Sequence, residues 1–209
     1  MTHTVVCISG LDGSQMREVA RGVGARLEYA VVDEEIIVNA AAAADIDPSI
    51  VADAERRRSF VERALQGVGA GADASAIALA GGVGYPGAAG LGDDLRGLIV
   101  QAIEETADRG EVVIASHAAS HALGSRPDAI RVLVTASTET RRARIAEEQG
   151  LDQKDSAKAI ERADHARADY LRRFYGARRE LPTQYDLVVN TDRVTPDLAV
   201  ELVVLAAKS

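Results

Sequence analysis

A chain of 209 residues, 47% of them hydrophobic, can bury one substantial core, and that length suits a single α/β domain over 1–209 better than two. A formal net charge of −8 argues against a general polyanion binder, because nucleic-acid affinity rests on an excess of Lys and Arg; no nucleic-acid partner is expected. One cysteine, Cys7, rules out an intrachain disulfide, and with neither a signal-like segment nor a membrane-spanning apolar run the expectation is a soluble, cytoplasmic protein with no membrane partner.

In chain order, THTVVCIS (2–9) predicts a first buried strand, and Gly10, Gly13 and Ser14 then lead into a helix over 16–27. EYAVVD, ending at Asp33, predicts a short second strand, followed by helices over 34–44 and 48–66. Residues 67–92 are dense in Gly and Ala and nearly free of charge. They read as a mobile arm or loop, either a lid or partner contact or an inert insertion. A helix over 93–109 precedes a third strand, EVVIAS (111–116), and AIRVLVTAS (129–137) predicts a fourth. Helices over 138–148 and 153–174 lead to a fifth strand, YDLVVN (185–190), and to a last helix over 196–207, with Pro196 at its first position behind Thr195. Strands alternating with helices predict a mainly parallel sheet.

The turn after the first strand is the first candidate site. Successive backbone N–H groups in such a turn, with the helix N-terminus behind them, attract phosphate without any lysine. Against G-x-x-x-x-G-K-[ST], Gly10 matches the first glycine, while Gln15, Met16 and Arg17 stand where Gly, Lys and Ser/Thr are usual. A plain strand-to-helix turn also accounts for Gly10 and Gly13. Arg17 is the nearest substitute for the missing cation, and Ser14 offers a hydroxyl.

Asp33 ends the second strand at the carboxyl edge of the sheet, where open α/β folds bind ligands; it also suits an N-cap for the helix that follows. Basic residues concentrate between Arg141 and Arg179, interleaved with Glu and Asp, so a phosphate clamp and a salt-bridged helix face both fit. His117 and His121 are four apart, but no carboxylate lies at a diagnostic spacing, so no metal site is expected.

Read together with YAVVDEEII (29–37), EVVIASHAASHAL (111–123) and AIERADHARADYLRRFYG (159–176) ahead of YDLVVNTDRV, the glycine loop resembles that of the cytidylate-kinase-like family, a branch of the P-loop nucleoside monophosphate kinases. Members typically read S-R-E-x-G-S-G-G-R-E-I-A there, and Gly13, Ser14, Arg17, Glu18 and Ala20 match by position. Gln15 and Met16 replace two glycines, Gly10-Leu11 replaces Arg-Glu, and Ser116-His117-Ala118 replaces G-R-G.

The resemblance implies a P-loop kinase-like αβα sandwich with a five-stranded parallel sheet, a mobile arm after the second strand and an arginine-bearing lid, here 138–179. It further implies transfer of the terminal phosphate of ATP, with magnesium, to CMP, dCMP or another small acceptor. On this reading Gly10, Gly13, Ser14, Gln15, Arg17, Arg141 and Arg142 hold the donor, and Asp33, His117 and Asp164 face the acceptor. Arg17, Asp33, Arg162 and Arg167 carry the chemistry, with Asp164 orienting Arg167 from the same helix face. The rival is a catalytically inactive kinase-fold protein acting as a nucleotide sensor or interaction scaffold. A homodimer through the 67–92 arm fits either.

Overall fold

β1 (Val5–Gly10) is buried along its whole length because it runs down the middle of the molecule, between β3 (Val112–Ala115) and β4 (Ala129–Thr135). The structure is a computed structural model that describes residues 3–33, 100–116, 119–124, 126–177 and 181–209. Helices expected over 34–44 and 48–66, the start of that over 93–109, the 67–92 arm and His117 lie outside the described residues.

β2 (Ala30–Asp33) and β5 (Leu187–Asn190) complete a sheet in the order β2-β3-β1-β4-β5, and every pairing is parallel. Parallel strands need covered faces, and the strand period of two divides β1 between two cores. Val6 and Ile8 face α1 (Met16–Leu27) and α6 (Pro196–Ala207), meeting Val19, Val23, Val200 and Val203. Val5 and Cys7 face the other layer, which holds a helix α2, described over 100–108, and a short α3 (Ala119–Ala122). Burial pushes the Cys7 thiol up to about 12, so the cysteine is an inert core residue.

The α-helices described after β4 start behind side-chain caps. Ser137 accepts from the Thr140 N–H ahead of α4 (Thr138–Gln149), and Asp152 accepts from the Asp155 N–H ahead of α5 (Gln153–Tyr175). Thr195 accepts from the Leu198 N–H ahead of α6, with Pro196 in the first turn. Among the described residues between α5 and β5 lies a short 3-10 turn, Pro182–Gln184. The start of β5 is tied to β4 by Arg131, whose backbone N–H and guanidinium all donate to the Asp186 carboxylate.

Register brings the candidate groups to one edge. Asp33 pairs with Ala115, and Ala115 with Ile8, so the carboxyl ends of β2, β3 and β1 are level. That edge is where ligands of open α/β sheets bind. Among the described residues, no helix is long and apolar enough to cross a membrane.

Candidate active site

The loop between β1 and α1 is held by its carbonyls. The Gly10 carbonyl accepts from Arg167 at 3.3 Å, that of Asp12 from Arg141 at 3.3 Å and that of Gly13 from Arg144 at 3.0 Å. The Ser14 carbonyl accepts from the Thr191 hydroxyl at 3.0 Å. Inside the loop, the Ser14 N–H donates to the Leu11 carbonyl at 2.9 Å, and Gly13 and Gln15 both take left-handed backbone, with φ of 76° and 64°. The consequence concerns the donors. The N–H groups of Gly13, Gln15, Met16, Arg17 and Glu18 make no hydrogen bond among the described residues, and no side chain caps α1. An uncapped helix start, with its dipole behind it, presents the donors and positive potential that anions meet at helix N-termini.

Two further features line this turn. Ser14 is fully buried and its hydroxyl has no hydrogen-bond partner among the described residues, which is costly for a polar group unless a ligand completes it. A Cβ on Gly10 would lie 2.3 Å from the Met16 Cβ and 2.9 Å from Ser14 Oγ, so the stem of Met16 passes directly over Gly10. Met16 is itself half-buried against the cluster of Val6, Ile8 and Val19. Its thioether adds packing at the place where a lysine would add charge.

The sequence profile of the cytidylate kinase-like family matches residues 5–193. The chain belongs to that family. Among solved structures, an uncharacterized protein from Eubacterium ventriosum ATCC 27560 is similar at 15% identity, with 97% of each chain covered and a TM-score of 0.68. TT1252 from Thermus thermophilus is similar at 17% identity, covering 99% of this chain and 98% of its own, with a TM-score of 0.52. Shikimate kinase from Acinetobacter baumannii, in complex with shikimate, is similar at 13% identity over 98% and 93% of the two chains, with a TM-score of 0.53. At such identities the likeness establishes the fold, that of P-loop kinases. No curated protein matches the chain in sequence.

In this family member the arginine-rich segment is fixed to the loop from behind. Arg141 is 1% exposed, and its guanidinium makes two hydrogen bonds to Asp164, the first at 2.8 Å, joining α4 to α5. The expected pairing of Asp164 with Arg167 is thereby corrected. Arg167 shares a helix face with Asp164, but Arg141 presents a buried planar fork across the α4–α5 contact, and a carboxylate takes such a fork with both oxygens. Arg167, 6% exposed, goes to the Gly10 carbonyl instead.

The structure thus brings Gly10, Gly13, Ser14, Gln15, Arg141, Asp164 and Arg167 to one loop. Arg17 stands exposed in the first turn of α1, and Asp33 is exposed at the end of β2 on the same sheet edge. Ser116 is buried, and its carbonyl accepts from the Ser9 hydroxyl at 2.9 Å. Arg142 and Arg162 are not part of the loop clasp. Arg142 is exposed on α4; Arg162 is exposed and lines an open groove of about 820 Å³ with Leu151, Asp155, Lys158, Glu161 and His165. Five residues before Arg167, it lies about 140° away around the helix.

Arg144 and Thr191 are the site residues that sequence reasoning missed. Arg144 donates to the Thr191 hydroxyl at 3.0 Å and to its carbonyl at 2.7 Å as well as to Gly13. A signal existed for one of them: Arg144 is three residues from Arg141, so both share a face of α4. For Thr191, a residue just past β5, no local pattern marks its reach to a loop 177 positions away.

Proposed function

We propose that this family member binds the phosphates of a nucleotide at the start of α1 and transfers the terminal phosphate of ATP to CMP, dCMP or another small acceptor. The observation that carries this reading is the two-sidedness of the loop. Its carbonyls are taken by Arg141, Arg144, Arg167 and Thr191, while among the described residues the N–H groups of Gly13, Gln15, Met16, Arg17 and Glu18 are left as donors at a helix N-terminus. The unpartnered Ser14 hydroxyl fits the same ligand.

In this mechanism the N–H groups of Gly13, Gln15 and Met16 receive the donor phosphates, and the Ser14 hydroxyl adds one neutral donor. Arg17, in the first turn, supplies the positive charge nearest the transferring group, and Asp33 orients the acceptor from the sheet edge. Magnesium, bound with the nucleotide, would neutralise phosphate charge; it takes few protein ligands, so Asp33 and the Ser14 hydroxyl suffice as candidates. Arg141 and Arg167 act through the loop they hold. The cytoplasmic assignment rests on the single buried thiol of Cys7.

A second reading has its own observation. Met16 is committed to the core over Gly10, and Arg141 is committed to Asp164, so little mobile charge is left for a developing transition state. On that reading the loop binds nucleotide and the chain serves as a sensor. Calorimetry with ATP, ADP, CMP and dCMP, with and without magnesium, followed by a coupled phosphotransfer assay, separates the cases. Binding with turnover supports the kinase, binding without turnover the sensor, and no binding at millimolar nucleotide removes both.

A further inference from the structure

Leu198, Leu202 and Leu205 follow one another at i, i+4 and i+7 on α6 and are 47%, 38% and 71% exposed. They form one stripe, and it points away from the sheet: Ala199, Val200, Val203 and Ala207, on the opposite side of the same helix, are the residues buried in the core. The neighbouring α1 behaves otherwise, burying Val19 and Val23 and turning Arg17, Glu18, Arg21 and Arg26 to solvent. A helix apolar on both faces has a second surface to cover.

We propose that a second copy of this chain covers the leucine stripe, with the two α6 helices packed antiparallel about a twofold axis near Leu202. The stripe is self-complementary under that operation: Leu198 of one copy meets Leu205 of the other, and Leu202 meets Leu202. The charges agree with the same register. Asp197 and Lys208 are about three turns apart and so lie on one flank of the stripe, and inversion sets Asp197 of each copy against Lys208 of the other. Glu201, on that flank near the axis, comes opposite Glu201 of the other copy, and its charge is offset within its own protomer by Arg26 of α1 at 3.6 Å. The interface is thus an apolar centre with two reciprocal ion pairs at its rim.

Sedimentation velocity of the full chain, from about 1 to about 100 µM, tests this. The expected result is a monomer–dimer equilibrium whose dissociation constant rises at least about tenfold in Leu202→Glu and in Leu205→Glu. Leu205 is the safer site, since it is mostly exposed, and an unchanged far-UV spectrum and melting transition show that the variant folds. Asp197→Lys should weaken the dimer, and Asp197→Lys with Lys208→Asp should restore it. A monomer throughout the range, as when another segment or a different protein covers the stripe, overturns the proposal. So does a dimer indifferent to both leucine variants, or one that the paired charge swap fails to restore.

Discussion

Arg144 on α4 holds Thr191 by both its hydroxyl and its carbonyl while also reaching the Gly13 carbonyl, and Thr191 in turn donates to the Ser14 and Thr135 carbonyls. The phosphate-loop candidate is therefore fastened to the end of β4 and to the start of the segment after β5 through two side chains. Thr191→Val keeps the shape and removes the hydroxyl, leaving the carbonyl of Ser14 short of a donor, while the Thr135 carbonyl keeps the Thr191 backbone N–H. We expect a loss of about 1–3 kcal/mol by urea unfolding and a weaker nucleotide affinity, measured by calorimetry on the folded variant. Unchanged stability would show that the clasp contributes nothing.

The Arg141–Asp164 pair makes a second prediction. Asp164→Ala leaves a guanidinium that is 1% exposed without its carboxylate. A fully buried pair broken on one side costs about 3–5 kcal/mol, and the 40% exposure of the Asp164 side chain moves the expectation down to about 2 kcal/mol. Replacing both, as Arg141→Met with Asp164→Leu, should recover most of that loss. A double-mutant cycle from thermal melts measures the coupling; additive single effects would refute it.

Gln15 takes a left-handed backbone, φ 64°, at a position where side chains are strained. Gln15→Gly should stabilise the protein by up to about 1 kcal/mol, with the gain offset in part by the greater freedom of glycine in the unfolded chain. Met16→Lys restores a cation at the loop, and on the proposed function it should tighten ATP about tenfold, a gain of about 1.4 kcal/mol. It should also cost some stability, because Met16 packs on the core. A Met16→Lys variant that folds yet binds ATP no better would count against phosphate binding at this turn.

Acid sensitivity has a defined sign. The Arg131 guanidinium, hydrogen-bonded to Asp186, holds that carboxyl below its usual range, and Arg126 does the same to Asp128. Lowered folded-state values mean that stability from these pairs is fully present above the unfolded carboxylate value of about 3.9 and is lost as pH falls through the folded values. Melting temperatures should hold from pH 7 to about 5 and drop below about 4, with a shallower drop in Asp186→Asn.

Local pattern was enough for many of the elements. α6 occupies Pro196–Ala207, the span set by Thr195, Pro196 and an apolar run, and α5 runs Gln153–Tyr175 behind the Asp152 cap. The site was legible only in part. Gly13, Ser14 and Gln15 announce a turn by their order, but the assignment of Asp164 to Arg167 followed from spacing on one helix and failed against a partner on another.

The order of apolar runs, Gly-rich turns and caps, together with the likeness at the loop, determined that this is a parallel α/β chain of the cytidylate kinase-like family. Those features are local, and a period of 2 or 3.6 residues is written in consecutive positions. Which arginine meets which carbonyl was decided by the tertiary structure alone. Arg141, Arg144, Arg167 and Thr191 lie 129, 131, 157 and 177 positions from the carbonyls they hold, and only the packing of α4 and α5 against the sheet edge brings such side chains within hydrogen-bonding distance of one four-atom row.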